Sequence, residues 1–315
     1  MPMTFILLAA GIILLYFGAE LLVRGSSTLA LRFGISALTV GLTVVAFGTS
    51  APELVVSIGA GLDGQPDIAV GNIIGSNIFN IAIILGISAI IRPLSVNLQV
   101  LRIDTPVMIA VSVLFSLLLL DGTISRFDAV LLFSGIVAYT IFSLRSGERK
   151  TGTTATGENE KPATRMKESI PFNIFLIVTG LGMLIAGSRF FVGGAVNLAT
   201  FFHVSGAVIG LTIVAAGTSL PELATSVVAA TRKEVDIAIG NIVGSNIFNM
   251  LAIAGISGTI TPLKVKGVGM VDLGFMLGTA LCLLPFMRSG FRLNRVEGMV
   301  LLVIYGGYLW YLWPK

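Results

Sequence analysis

The sequence predicts an all-α membrane protein of ten transmembrane helices, arranged as two inverted-topology five-helix repeats with the N- and C-termini outside. Three observations carry that prediction. The 315-residue chain is 55% hydrophobic and only 11% charged, with a mean hydropathy of +0.97, whereas soluble domains carry about 25% charged residues. Two phrases each occur twice. DIAVGNIIGSNIFN (67–80) and DIAIGNIVGSNIFN (236–249) agree at 12 of 14 positions, and GLTVVAFGTSAPELVVS (41–57) and GLTIVAAGTSLPELATS (210–226) agree at 12 of 17. Both pairs lie 169 residues apart (236 − 67 and 210 − 41), and one offset shared by two separate motifs marks a duplicated half. Finally, each half holds an odd number of spans, so its two copies must enter the membrane in opposite directions.

Apolar runs place the spans at roughly 4–24, 36–61, 67–91, 104–121, 126–145, 172–198, 204–230, 236–261, 268–287 and 294–313. The opening MPMTFILLAAG lacks the positive segment of a signal peptide, and its apolar run continues to Val23. It therefore reads as a retained helix. The first repeat occupies 1–145 and the second 172–315. Between them SGERKTGTTATGENEKPATRMKESIP (146–171) is polar without apolar period, a linker by composition. The remaining chain is expected to pack as helices, because backbone facing lipid cannot stay unpaired.

Orientation follows from the basic residues. With the N-terminus outside, fifteen Lys and Arg fall in inner loops, against Arg126, Lys264, Lys266 and Lys315 outside. The linker is then cytoplasmic and the protein a multi-pass cell-membrane protein. The net charge of +4 is thus a topological signal and implies no nucleic-acid partner. The single cysteine, Cys282, sits in an apolar run, which leaves no disulfide framework and no zinc spacing.

Within the spans, Glu53 and Glu222 are flanked by apolar residues and are repeat partners. A carboxylate at that depth costs several kcal/mol unless it is paired or bound to a cation. Its alternative is a structural Glu, protonated or bonded to backbone amides. The neighbouring letters favour use: Pro52 and Pro221 remove a helix donor, which is expected to free the carbonyls of Ala46, Gly48, Thr49, Ala215, Gly217 and Thr218. Thr49 and Glu53 share a helix face at i, i+4, as do Thr218 and Glu222.

The GNIIGSNIFN phrase supplies a second wall. Ser76 and Asn80 are also i, i+4, and Gly71/Gly75 and Gly240/Gly244 form GxxxG pairs that permit close helix approach. The polar residues either glue helices together or complete a cation cage begun by the glutamates. Carboxylates, carbonyls, hydroxyls and amide oxygens without nearby Cys or His suit a hard cation of six to eight oxygen ligands, such as Ca²⁺. Several Na⁺ ions could use the same oxygens, so the two species would exclude each other.

GTSAPEL, GNIIGSNIFN, GTSLPEL and GNIVGSNIFN together resemble the two alpha-repeats of the sodium/calcium exchanger family, in its ten-helix microbial form. The resemblance covers the whole chain. It implies a Ca²⁺/Na⁺ antiporter in which Glu53, Glu222, Thr49 and Thr218 hold Ca²⁺. Na⁺ sites would flank it at Ala46, Ser50 and Ser76 on one side and Ala215, Ser219 and Ser245 on the other, with Asn80 and Asn249 at the centre. The first and sixth helices resemble the family's gating pair. The potassium-dependent branch has Asp where this chain has Asn249, which implies transport without K⁺.

An alternative on the same scaffold is a proton-coupled antiporter of Ca²⁺ or another divalent cation. A passive channel fits duplicated broken helices less well. An intramembrane hydrolase fails because His203, the only histidine, is placed in an outer loop far from either glutamate, and no nucleophile elbow is present. No enzyme activity, cofactor or protein partner is implied; the partners are the lipid bilayer, Ca²⁺ and Na⁺. Three further expectations concern single residues. Glu20 and Arg189 are repeat partners that do not pair directly, Asp67 and Asp236 cap their helices, and YGGYLWYLW forms an interfacial belt.

Overall fold

The computed structural model describes residues 2–148, 169–202 and 215–312. Helix α1 (Pro2–Phe33) ends where Gly34 adopts φ +65°, a left-handed residue that stops a helix at little steric cost. Ser36 then starts α2 (Ala37–Thr49) by accepting from the Thr39 amide at 3.1 Å. Helix α3 (Ala51–Leu62) continues α2 after a 45° bend, and α4 (Pro66–Ile91) follows a tight turn. Next come strand β1 (Leu94–Ser95), α5 (Val100–Leu118), β2 (Thr123–Ile124) and α6 (Arg126–Glu148). The second half repeats the order: α7 (Ile170–Phe201), α8 (Ala215–Thr218), α9 (Leu220–Thr231), α10 (Val235–Ile260), β3 (Leu263–Lys264), α11 (Met270–Arg288), β4 (Arg292–Leu293) and α12 (Arg295–Leu312).

Among the described residues seven helices are long and apolar enough to cross a membrane, and the bent α2–α3 pair makes an eighth candidate. The tenfold expectation also needs α8–α9, whose preceding residues 203–214 lie outside the described part, and α12. His203 falls in that segment too. The halves are inverted repeats. Gly11 abuts the backbone at Gly187 and Gly18 abuts Gly180, so α1 and α7 run antiparallel at close range. The glycines stand at 11, 18, 25 and at 180, 187, 194, every seventh residue in both copies. A Cβ at Gly18 would lie 2.9 Å from the Gly180 carbonyl oxygen, a packing that only small residues permit.

The four two-residue strands were not expected, and they follow the same symmetry. β1 pairs antiparallel with β4, and β2 with β3. Adding 169 to β1 gives β3 and to β2 gives β4, so the two ladders are twins that tie the halves together. Their backbone groups are satisfied across the repeat boundary, which is why helix was not required there. Packing crosses the boundary as well: α6 covers α10 through Ala129 and Gly255, and α12 covers α4 through Gly298 and Gly86.

The interior is α10, buried along its whole apolar length, with α4, α2–α3 and α8–α9 around it. The outer helices carry the exposed apolar side chains, among them Phe5, Ile12 and Phe17 on α1 and Phe127, Phe133 and Phe142 on α6. That reverses the pattern of a soluble domain and matches an integral membrane protein.

Candidate cation site

Two helix breaks build the centre. Pro52 has no N–H for the Gly48 carbonyl, and the chain turns at Ser50 (φ −81°, ψ 6°). Pro221 does the same, with the turn at Ser219 (φ −88°, ψ 8°). Each break puts a glutamate in the first turn of the following helix, Glu53 on α3 and Glu222 on α9. There the helix dipole favours negative charge. Both are fully buried, at 1% and 0% exposure.

Each carboxylate is oriented from the opposite half. Ser50 Oγ donates to Glu222 Oε1 at 2.7 Å, and Ser219 Oγ donates to Glu53 Oε1 at 2.9 Å. Thr49 and Ser245 lie beside Glu222, and Thr218 lies beside Glu53. Because Ser50 and Ser219 stand three residues before Glu53 and Glu222, these bonds bring the two carboxylates into one site. Two like charges in a buried site are tolerated only with a compensating cation or protons.

Asn72 on α4 and Asn241 on α10 brace this arrangement. Asn241 Nδ2 donates to the Glu222 carbonyl at 3.4 Å and to Ser226 Oγ at 3.0 Å, while its Oδ1 accepts from Thr49 Oγ1 at 3.0 Å. Asn72 does the same in mirror order, bonding the Glu53 carbonyl at 3.2 Å, Ser57 Oγ at 3.0 Å and Thr218 Oγ1 at 3.4 Å. Every bond in this set has its twin 169 residues away. Neither asparagine was among the expected site residues; amides within apolar spans at the repeat offset are the sequence signal that marks them.

The second pair of walls begins at Asn80 and Asn249, each the first residue of a π-helical segment (Asn80–Leu85 and Asn249–Ile253). Such wide turns are frequent at functional sites. Asn80 Nδ2 donates to Asn246 Oδ1 at 3.2 Å. Among the described residues, both side-chain polar atoms of Asn249 lack a hydrogen-bond partner, as do Ser76 Oγ, Ser245 Oγ, Asn80 Oδ1, Glu53 Oε2 and Glu222 Oε2. All are buried. Unpartnered buried oxygens cost free energy, and oxygens gathered around two carboxylates are the donor set of a hard cation. Among the described residues no group of three or more Asp, Glu, His and Cys side chains could hold a metal, so the charge rests on the two glutamates.

Of the expected ligands, Glu53, Glu222, Thr49, Thr218, Ser50, Ser219, Ser76, Ser245, Asn80 and Asn249 all fall on these two breaks and the two helices facing them. Ala46 is buried one turn before Ser50. Ala215 begins α8, and its side chain lies outside the described part.

Some expectations needed correction. The Ala46 carbonyl is not free, since it accepts from the Ser50 amide at 3.0 Å. The Gly217 carbonyl is taken by Ser188 Oγ. Asp67 is not a cap: its Oδ1 accepts from the amides of Lys266 and Gly267 at 2.8 and 2.7 Å, clamping the loop after β3. Asp236 lies in the first turn of α10, whose cap position is Glu234. The Gly240/Gly244 pair does meet a neighbouring helix, with the Leu38 carbonyl oxygen 2.8 Å from the Cβ site of Gly240. Nothing lies within 4 Å of those sites on Gly71 and Gly75 among the described residues.

Comparison with known proteins agrees with this architecture. CaxA of Alkalimonas amylolytica is 37% identical over 98% of both chains. The sodium/calcium exchanger MaX1 of Methanosarcina acetivorans is 30% identical over 97% of both. A solved structure of the sodium-calcium exchanger NCX_Mj, soaked with Na⁺, superposes with a TM-score of 0.82 at 31% identity, covering 96% of each chain. The family described as sodium/calcium exchanger protein matches residues 3–145 and 172–313. With that match spanning both copies of the repeat, the chain belongs to the sodium/calcium exchanger family.

Proposed function

We propose that the protein is a secondary antiporter that exchanges Ca²⁺ for Na⁺ across the cell membrane by alternating access. In this reading Glu53, Glu222, Thr49 and Thr218 hold Ca²⁺. Na⁺ occupies flanking positions at Ala46, Ser50 and Ser76 and at Ala215, Ser219 and Ser245, with Asn80 and Asn249 between them. The observation that carries it is the pair of buried carboxylates: each has one oxygen fixed by a serine of the opposite half and the other without a hydrogen-bond partner among the described residues. Two charges and a shell of neutral oxygens match one Ca²⁺. Na⁺ ions drawing on the same oxygens exclude it, and that mutual exclusion lets one gradient drive the other. Exchange makes and breaks no covalent bond and needs no cofactor.

The serine ties have a second consequence. Each half holds the other's carboxylate, so rocking one half against the other reshapes the whole site. The full arrangement is ten spans in two five-helix halves, termini outside and the 146–171 linker in the cytoplasm. Uptake of ⁴⁵Ca²⁺ into proteoliposomes at clamped voltage tests the assignment. An outward Na⁺ gradient is expected to drive uptake, and a pH gradient alone is not. Uptake driven by pH alone would replace Na⁺ with protons as the counter-ion.

A further inference from the structure

Two oppositely charged pairs stand at corresponding places in the two halves, and only one is engaged. Arg232 grips Glu20 through two contacts: Nε donates to Oε2 at 2.7 Å, and a second guanidinium nitrogen meets Oε1. The pair ties α1 to the turn after α9. Ser27 on α1 adds a bond to Glu234 in the same turn, Oγ to Oε1 at 3.0 Å.

The repeat offset turns this pair into another. Glu20 becomes Arg189 on α7 (20 + 169), and Arg232 becomes Asp63 after α3 (232 − 169). Both charges reverse, so Arg189 and Asp63 form a complementary pair of the opposite sense. The turns that carry Asp63 and Arg232 match closely. Asp63 has φ −77° and ψ 3°, Arg232 has φ −79° and ψ 3°, and the next residues, Gly64 and Lys233, take φ +71° and +68°. Their backbone hydrogen bonds are twins as well: Asp63 to Gly59 and Gln65 to Ala60, Arg232 to Val228 and Glu234 to Ala229. Lys233 holds a left-handed conformation that glycine holds in the other copy, which keeps the turn alike despite its composition.

The long helices do not sit alike against these turns. Helix α1 packs along α9, whereas α7 makes almost no contact with α3. Val56 on α3 is accordingly 38% exposed, while its twin on α9, Thr225, is 0% exposed. Arg189 and Asp63 are both exposed, and among the described residues neither has an ion-pair partner. In the α1–α7 register, where Gly11 faces Gly187 and Gly18 faces Gly180, Arg189 is level with residue 9. That places it ~16 Å along the axis from Glu20 at 1.5 Å per residue. The two pairs belong to opposite ends of the bundle.

We propose that Glu20–Arg232 and Arg189–Asp63 are alternating latches, one at each end, closed in turn as the α1–α7 pair swings across the rest of the molecule. This rests on the antiporter reading. In an inverted repeat, the opposite-facing state is reached when each half takes up the other's arrangement. The contact of α1 with α9 then becomes a contact of α7 with α3, and Arg189 meets Asp63 as Glu20 leaves Arg232. The glycine seam carries α1 and α7 together, so closing one latch opens the other. The ends are not equal, because Ser27 is replaced by Val196 and Glu234 by Gln65 in the second pair. The Glu20 end therefore holds the extra bond and is the favoured closed end.

The test uses full-length protein in proteoliposomes with Cys282→Ala as background. Asp63→Cys/Arg189→Cys is treated with a short bis-methanethiosulfonate linker, because side chains meeting head to head hold their backbones farther apart than the ~7 Å a disulfide tolerates. Cross-linking is read as a gel shift, independently of transport. Slow cross-linking is expected, accelerated roughly two- to fivefold by Glu20→Gln or Arg232→Gln, the range for losing one half-exposed ion pair. The exchanged pair Glu20→Arg/Arg232→Glu is expected to restore the slow rate, which a mere folding role would not do.

Failure of residues 63 and 189 to cross-link under any Na⁺ or Ca²⁺ condition overturns the latch, as does a rate indifferent to Glu20→Gln. Wild-type Na⁺-driven ⁴⁵Ca²⁺ uptake, measured in parallel, separates the two readings. Uptake without cross-linking overturns the latch alone. Cross-linking as stated without Na⁺-driven uptake supports the latch and overturns the ion assignment.

Discussion

Replacing Asn241 by Ala removes a brace of the Thr49–Glu222 region, and its consequence can be worked from the bonds lost. Two of the three are short, at 3.0 Å to Ser226 and to Thr49, and the third is long, at 3.4 Å to the Glu222 carbonyl. At about 1 kcal/mol per net hydrogen bond, the two short bonds contribute ~2 kcal/mol and the long one less. Thr49 is not orphaned, because its hydroxyl also reaches the Val45 carbonyl at 3.1 Å. Ser226 loses its amide partner in a fully buried position, adding a desolvation cost of about 1 kcal/mol or more. The sum is roughly 3 kcal/mol, local to Thr49 and Glu222.

Asn72→Ala removes bonds of 3.2, 3.0 and 3.4 Å, the one to Thr218 longer than its twin, from a half-buried residue and should cost less. The expected result is a lower melting temperature for both variants and an at least tenfold higher Ca²⁺ concentration for half-maximal uptake in Asn241→Ala, with Asn72→Ala milder on both counts. ⁴⁵Ca²⁺ uptake alongside thermal denaturation in detergent measures this. Unchanged Ca²⁺ dependence in Asn241→Ala at normal expression would refute the bracing role.

Three other outcomes follow. Glu53→Gln and Glu222→Gln each halve the charge of the site and should abolish exchange; near-normal Ca²⁺ flux in either places the site elsewhere. Removing K⁺ should leave the flux unchanged, because Asn249 keeps the centre at two carboxylates, and strict K⁺ dependence would contradict that. Gly18→Leu drives a side chain into the Gly180 carbonyl and should collapse the α1–α7 seam, seen as lost folded yield. Gly274→Ala, with open space at its Cβ site, should behave as wild type; equal yields for both would dismiss the seam.

The chemistry of the site was more legible than its mechanics. Glu53 and Glu222 stood out because carboxylates are rare and costly in apolar spans, and their repetition at one offset ruled out accident. The breaks at Ser50 and Ser219 followed from Pro52 and Pro221, whose missing N–H acts locally. Asn72 and Asn241 stand in plain view within the repeated phrase, but nothing local distinguishes a bracing amide from one that merely glues helices together. Which serine would meet which glutamate was not readable, because the bonds cross between halves and depend on how the halves dock. The same holds for Arg232, the partner that Glu20 finds 212 residues away. The two-residue strands carry too few residues for any alternation to show. The glycine seam was not among the expectations, although Gly11, Gly18 and Gly25 recur as Gly180, Gly187 and Gly194 at the same 169-residue offset.

The central claim is that Ca²⁺ and Na⁺ compete for one site defined by two glutamates. Equilibrium ⁴⁵Ca²⁺ binding to the purified protein, titrated with Na⁺, tests it most directly. The account predicts one Ca²⁺ per chain, displaced by Na⁺ with a dependence steeper than first power, and no binding in Glu53→Gln or Glu222→Gln. Ca²⁺ binding indifferent to Na⁺, or retained in either variant, would contradict it.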